Sequence, residues 1–138
     1  MTVRPAASGD VPAIAGLLGE LGYPASVEVL EARMARLPDT TTVLVAELDG
    51  EVVGLAALDV RQGLEHEEPR GRVIAFVVRA DARGRGVARA MLRAIEDAAR
   101  ATGAVHLHVT SAEHRTDAHA AYRALGFEAT GLRFGKAL

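Results

Sequence analysis

Two glycines and two arginines, Arg83-Gly84-Arg85-Gly86, stand directly before a run whose apolar residues repeat at helical spacing. A loop that enters a helix leaves several backbone N–H groups unpaired at the positive end of the helix dipole, so it suits an anion, phosphate above all. Glycines let a phosphate approach the backbone closely, and the arginines add charge. Two familiar phosphate motifs do not fit. A P-loop requires Gly-Lys-Ser/Thr, and the only Gly-Lys here, Gly135-Lys136, is followed by Ala137, which argues against ATP or GTP hydrolysis. A dinucleotide fingerprint needs a small residue three positions after the second glycine, where this chain has Arg89, and it should follow the first strand of a βαβ unit.

Other chemistries are narrowed by composition. The absence of cysteine excludes disulfides, thiolate ligands and a cysteine nucleophile. Among the five histidines only His114 and His119 approach a metal-ligand spacing, and they are poorly placed on one helix face, so no metal is expected. A net charge of −2, with two tyrosines and no tryptophan, leaves little basic surface or stacking platform for nucleic acid. The N-terminus lacks a charged-then-apolar leader and no apolar run reaches the ~20 residues of a membrane span, so a cytoplasmic protein without membrane contact is expected. At 138 residues, one domain spanning 1–138 is expected.

The elements that must position the glycine loop follow from patterning. Thr2 to Arg4 reads as a short strand. Ser8-Gly9-Asp10 offers caps for a helix carrying Ile14, Leu17, Leu18 and Leu21, stopped by Gly22-Tyr23-Pro24, and Ser26 caps a second helix to about Leu37. Thr41 to Leu48 and Glu51 to Arg61 flank Asp49-Gly50, the signal of a type I′ hairpin. Residues 62–71 are a polar loop, and Arg72 to Val78, apolar on both faces, is a strand from the middle of the sheet. After the glycine loop, Ala88, Met91, Leu92, Ile95, Ala98 and Ala99 mark a long amphipathic helix ended by Thr102-Gly103. Val105 to Thr110 is a strand, Thr116 to Leu125 a helix, and Glu128 to Thr130 and Leu132 to Phe134 two short final strands. The fold class is a mixed α/β domain, its helices packed on a central sheet.

Placed after the central strand and before the long helix, Arg83-x-x-Gly86-x-Ala88 resembles the Gln/Arg-x-x-Gly-x-Gly/Ala signature of the GNAT superfamily of N-acetyltransferases. Ala118-His-Ala-Ala-Tyr122-Arg-Ala-Leu-Gly126-Phe127 is similar to that family's closing pattern, and the resemblance runs from Val3 to Leu138. It implies a GNAT-like fold with a mostly antiparallel sheet whose central strands, Val73 to Val78 and Val105 to Ser111, splay apart. It also implies acetyl-CoA as cosubstrate, with Phe76, Val77 and Val78 along the pantetheine arm. The loop Arg83, Gly84, Arg85, Gly86, Val87 and Ala88 would lie on the pyrophosphate. A bulge near Phe76 to Val78 would aim a backbone N–H, that of Phe76, at the thioester carbonyl.

The implied reaction is direct transfer of acetyl to a primary amine, with Tyr122, at the family's tyrosine position, as general acid toward the leaving sulfur. The central strand carries Arg72 and Ile74 and no carboxylate, so the usual strand-borne base is absent. Candidates for that role are His66, with Glu67 among the carboxylates Glu65 to Glu68, or Asp59, His108 or His119. Arg115 replaces a frequent asparagine and could meet a coenzyme phosphate. The alternative reading is a coenzyme A-binding regulatory module that has lost catalysis. A homodimer paired through the two C-terminal strands is also expected.

Overall fold

The computed structural model describes residues 1–110 and 116–138. Five strands form one sheet in the order β1 (Thr2–Pro5), β2 (Thr41–Leu48), β3 (Glu51–Arg61), β4 (Arg70–Val78) and β5 (Leu107–Val109). The first four are mutually antiparallel, and β5 runs parallel to β4. Helices α1 (Val11–Leu21) and α2 (Val27–Ala35) cover one face, while α3 (Val87–Ala101) covers the other; α4 (Thr116–Ala124) follows β5.

Local chemistry accounts for the boundaries. Asp49 and Gly50 have φ of 53° and 81°, the pair of positive values that a type I′ turn requires between β2 and β3. Gly22, at φ 102°, ends α1 with the Tyr23 N–H donating to Leu18 O at 2.8 Å. The Ser26 hydroxyl accepts from the Val29 N–H at 3.2 Å and caps α2, which stops at Ala35, short of Leu37.

Two bulges set which side chains meet which helices. Leu58 pairs with Val73 and Ala57 with Ala75, so Ile74 is an extra residue in β4. Because strand side chains alternate, one extra residue reverses the parity: Val73 packs toward α3 with Phe76 and Val78, whereas Ala75 and Val77 pack toward α1. A second bulge at Val53 does the same in β3. The β4 bulge therefore lies two residues before the expected Phe76 to Val78, which pair regularly with Ala56, Leu55 and Gly54.

Three other expectations are corrected. The strand predicted over Val105 to Thr110 is regular only from Leu107 to Val109, and β4 begins at Arg70. Glu128 to Thr130 and Leu132 to Phe134 form no strand; Leu132 and Phe134 are 83% and 88% exposed. Alternating apolar residues supply strand propensity, but a strand needs a backbone partner, and this tail has none among the described residues.

Candidate active site

The site is built where β4 loses its neighbour. Pairing of β4 with β5 ends at Val73 opposite Val109, so the β5-facing edge of residues 74–78 is unpaired among the described residues. A cleft of ≈540 Å³ opens there, with Phe76, Val77 and Val78 along one wall and Ala118, Ala121 and Tyr122 of α4 on the other.

The cleft runs on to the glycine loop, where Arg83, Gly84, Gly86, Val87 and Ala88 line it. Gly84 and Gly86 adopt φ of 75° and 82°, values that cost an L side chain energy. A Cβ on either would meet nothing within 4 Å. The glycines therefore serve the backbone shape, and the space above them is open. The first helical bond of α3 is Ala90 N–H to Gly86 O at 3.2 Å, and Gly86 provides no side-chain cap. The N–H groups at the start of α3 thus have no protein acceptor among the described residues, at the positive end of a 15-residue helix. An anion fits here.

The loop is held from below. Val87 and Ala82 are each 2% exposed, and Met91 and Ile95 of α3 are fully buried against the sheet. The Arg79 N–H donates to Val53 O at 2.7 Å, and its guanidinium binds Glu51 at 2.9 Å and Asp81 at 2.6 Å, fixing the turn after β4. The Glu20 carboxylate, at the end of α1, accepts from the Ala80 N–H at 3.3 Å and also lines the cleft. Sequence reasoning missed Glu20, since nothing in α1 signals contact with a turn 60 residues later.

A sequence profile described as the Acetyltransferase (GNAT) family matches residues 17–127. An aminoglycoside N(6')-acetyltransferase type 1 from Stenotrophomonas maltophilia is 35% identical over 136 residues, covering 94% of this chain and 87% of that protein. This chain belongs to the GNAT acetyltransferase family. An aminoalkylphosphonate N-acetyltransferase from Salmonella typhimurium is 31% identical over 122 residues, covering 88% of this chain and 78% of that protein. A solved aminoglycoside 6'-N-acetyltransferase from Acinetobacter haemolyticus superposes with a TM-score of 0.85 at 22% identity, covering 100% of this chain and 99% of that one, a likeness of fold.

In this GNAT chain the expected site residues divide into three groups. Phe76, Val77, Val78, Arg83, Gly84, Gly86, Val87, Ala88 and Tyr122 share one cleft. Tyr122 is half-buried and edge-on to Phe127, their ring centroids 5.9 Å apart. Arg85 points instead to Asp49, at 3.4 Å, and His66 and Glu67 stand in the exposed loop between β3 and β4 without lining the cleft. Arg115 and His114 lie outside the described residues. Asp59, another base candidate, accepts from Thr40, Thr41 and Arg61. Burial raises its pKa, but those hydrogen bonds outweigh the burial and leave the carboxyl below its ordinary value.

Proposed function

We propose that the chain transfers acetyl from acetyl-CoA to a primary amine within the cleft between β4 and α4. The carrying observation is the continuity of the β4 edge at residues 74–78 with the N–H groups at the start of α3, neither of which has a partner among the described residues. An extended pantetheine arm can pair with the former while its pyrophosphate seats on the latter. Phe76 offers a backbone N–H toward the thioester oxygen, and Tyr122 gives a proton to the leaving sulfur.

The amine nitrogen attacks the carbonyl carbon, forming a C–N bond as the C–S bond breaks. The amine loses one proton to water and the thiolate gains one, giving the N-acetyl amine and free coenzyme A. An alkyl amine has a pKa near ~10.4, so transfer should accelerate with rising pH as its neutral fraction grows. The curated relatives named above act on an aminoglycoside and an aminoalkylphosphonate, both of which present primary amines.

The same reading includes a homodimer joined through residues 128–134. A groove beside α3 and β5, lined by Leu92, Ala99, Leu107 and Phe127, opens next to that exposed tail. Sizing in solution tests it, and a monomer at micromolar concentration would reject it. The activity is tested by following release of free coenzyme A thiol across a panel of primary amines. Acceptor-dependent release that yields an N-acetyl product supports the assignment; release without acceptor, or none with any amine, contradicts it.

A further inference from the structure

The sheet face beside the cleft carries an arrangement of charge that the fold does not use. Val73 packs toward α3, so Arg72 on its neighbouring position faces the opposite side of β4. Arg72 stands directly opposite Asp59 of β3 on one flank and His108 of β5 on the other. One row away, Arg70 is opposite Arg61, and His106 precedes Leu107, the partner of Gly71. The His106 and His108 rings are 6.3 Å apart on the same face.

Among residues 59–61 of β3 and 70–72 of β4, Arg61, Arg70 and Arg72 outnumber the one carboxylate, Asp59. The Asp59 oxygens are taken by Thr40, Thr41 and Arg61. Arg72 makes only a 3.5 Å contact with the Thr110 hydroxyl, and neither Arg70 nor Arg72 forms an ion pair among the described residues. Glu65, Glu67 and Glu68 reach neither arginine at ion-pair distance, although they lie close in sequence. Arg70 and Arg61, directly opposite each other, are like charges and repel, a cost that an anion seated beside them would offset. The neutral form of His108 is favoured first by burial, then by the charges of Arg72, His106 and Arg70. A positive local field is the common cause of those charge effects.

We propose that the acceptor amine also carries an oxyanion, a carboxylate or a phosphonate, which seats at Arg70 and Arg72. This rests on the acetyltransferase reading and names its substrate class. Arg72 and Phe76 pair with Asp59 and Ala56, three steps apart on β3 because Ile74 is bulged, so at ~3.3 Å per step the Arg72 backbone lies about 10 Å from that of Phe76, a gap the arginine side chain and a short aminoalkyl chain bridge together. Guanidinium groups bind planar carboxylates and phosphonates in fork geometry, and the same field repels a polycation such as an aminoglycoside.

The test uses 3-aminopropylphosphonate, 4-aminobutanoate, 3-aminopropanol and an aminoglycoside as probes. Their equilibrium binding is measured by calorimetry in the presence of coenzyme A, and transfer is measured with acetyl-CoA. Tighter binding of the two anionic amines than of aminopropanol is expected, with the phosphonate and carboxylate arms showing which oxyanion is preferred. In Arg70→Gln and Arg72→Gln the ratio of phosphonate to aminopropanol affinity should fall about tenfold, the loss of one charged hydrogen bond. Thermal unfolding of each variant verifies its fold. Preference for the aminoglycoside or aminopropanol, or an unchanged ratio in both variants, overturns the proposal. Binding of acetyl-CoA without transfer to any probe leaves the calorimetric ratio to decide the substrate class, while counting against the acetyltransferase reading.

Discussion

Gly54 of β3 lies directly against Met91 of α3: a Cβ on the glycine would stand 2.7 Å from the methionine sulfur. The same Cβ would be 3.1 Å from Ala46 and 3.2 Å from Val87, the first residue of α3. The close approach of helix and sheet thus sets the height of the N-terminus that faces the cleft.

Gly54→Ala should destabilise the fold by about 1–3 kcal/mol, the usual effect of overpacking a full core. It should also weaken acetyl-CoA binding, because relief of the clash lifts Val87 and the N–H groups around it. Denaturant unfolding measures the first effect and calorimetry with acetyl-CoA the second. A variant with wild-type affinity would show that α3 height is irrelevant to the coenzyme.

Gly86→Val and Gly86→Asn separate shape from space. A Cβ at this position meets no protein atom within 4 Å, so the φ of 82° decides the outcome. Asparagine tolerates left-handed backbone, whereas a β-branched residue resists it, and the general cost is about 1–2 kcal/mol per L residue. Acetyl-CoA affinity should fall more for valine than for asparagine. Equal losses would point to blocked space instead.

Tyr122→Phe keeps the ring that meets Phe127 edge-on and removes the hydroxyl. Loss of a general acid should lower kcat by about 10²–10⁴, with the acetyl-CoA dissociation constant little changed. A kcat within twofold of wild type would assign the tyrosine to packing.

Asp10 predicts the acid limit of the fold. It accepts from both terminal nitrogens of Arg4, at 2.8 and 3.0 Å, and from the Ala7 N–H at 2.7 Å. The hydrogen bonds from Arg4, then that from Ala7, hold the carboxyl below its ordinary value. A depressed pKa contributes stability that is present above the unfolded value, near ~3.9, and is lost as pH falls through the folded value. Asp10→Asn should therefore be less stable than wild type at neutral pH, with the gap closing only below about pH 4. Unfolding curves against pH would show it, and a gap independent of pH would contradict it.

Much of this architecture was legible because it rests on local chemistry. Asp49-Gly50, Ser26 and Gly22 each act where the sequence places them, and the Arg83 to Ala88 loop needed only its position before α3. Long-range facts were not legible. The Ile74 bulge depends on register with Leu58, and it alone decides that Arg72 faces away from α3. Read without register, the strand's lack of a carboxylate looks like a missing base, whereas register shows a face whose Arg70 and Arg72 form no ion pair among the described residues. The tail residues Leu132 and Phe134 alternate as a strand would, but alternation cannot supply an edge to pair with.

Thermal unfolding with and without acetyl-CoA, with NAD and ATP as phosphate-bearing controls, tests the central claim most directly. A ligand at 100 times its dissociation constant should add about 2.7 kcal/mol. In a domain of this size that raises Tm by several degrees. The account predicts that shift with acetyl-CoA and not with the controls. No shift at saturating acetyl-CoA, or an equal one with ATP, would mean that the cleft between β4 and α4 does not hold the coenzyme.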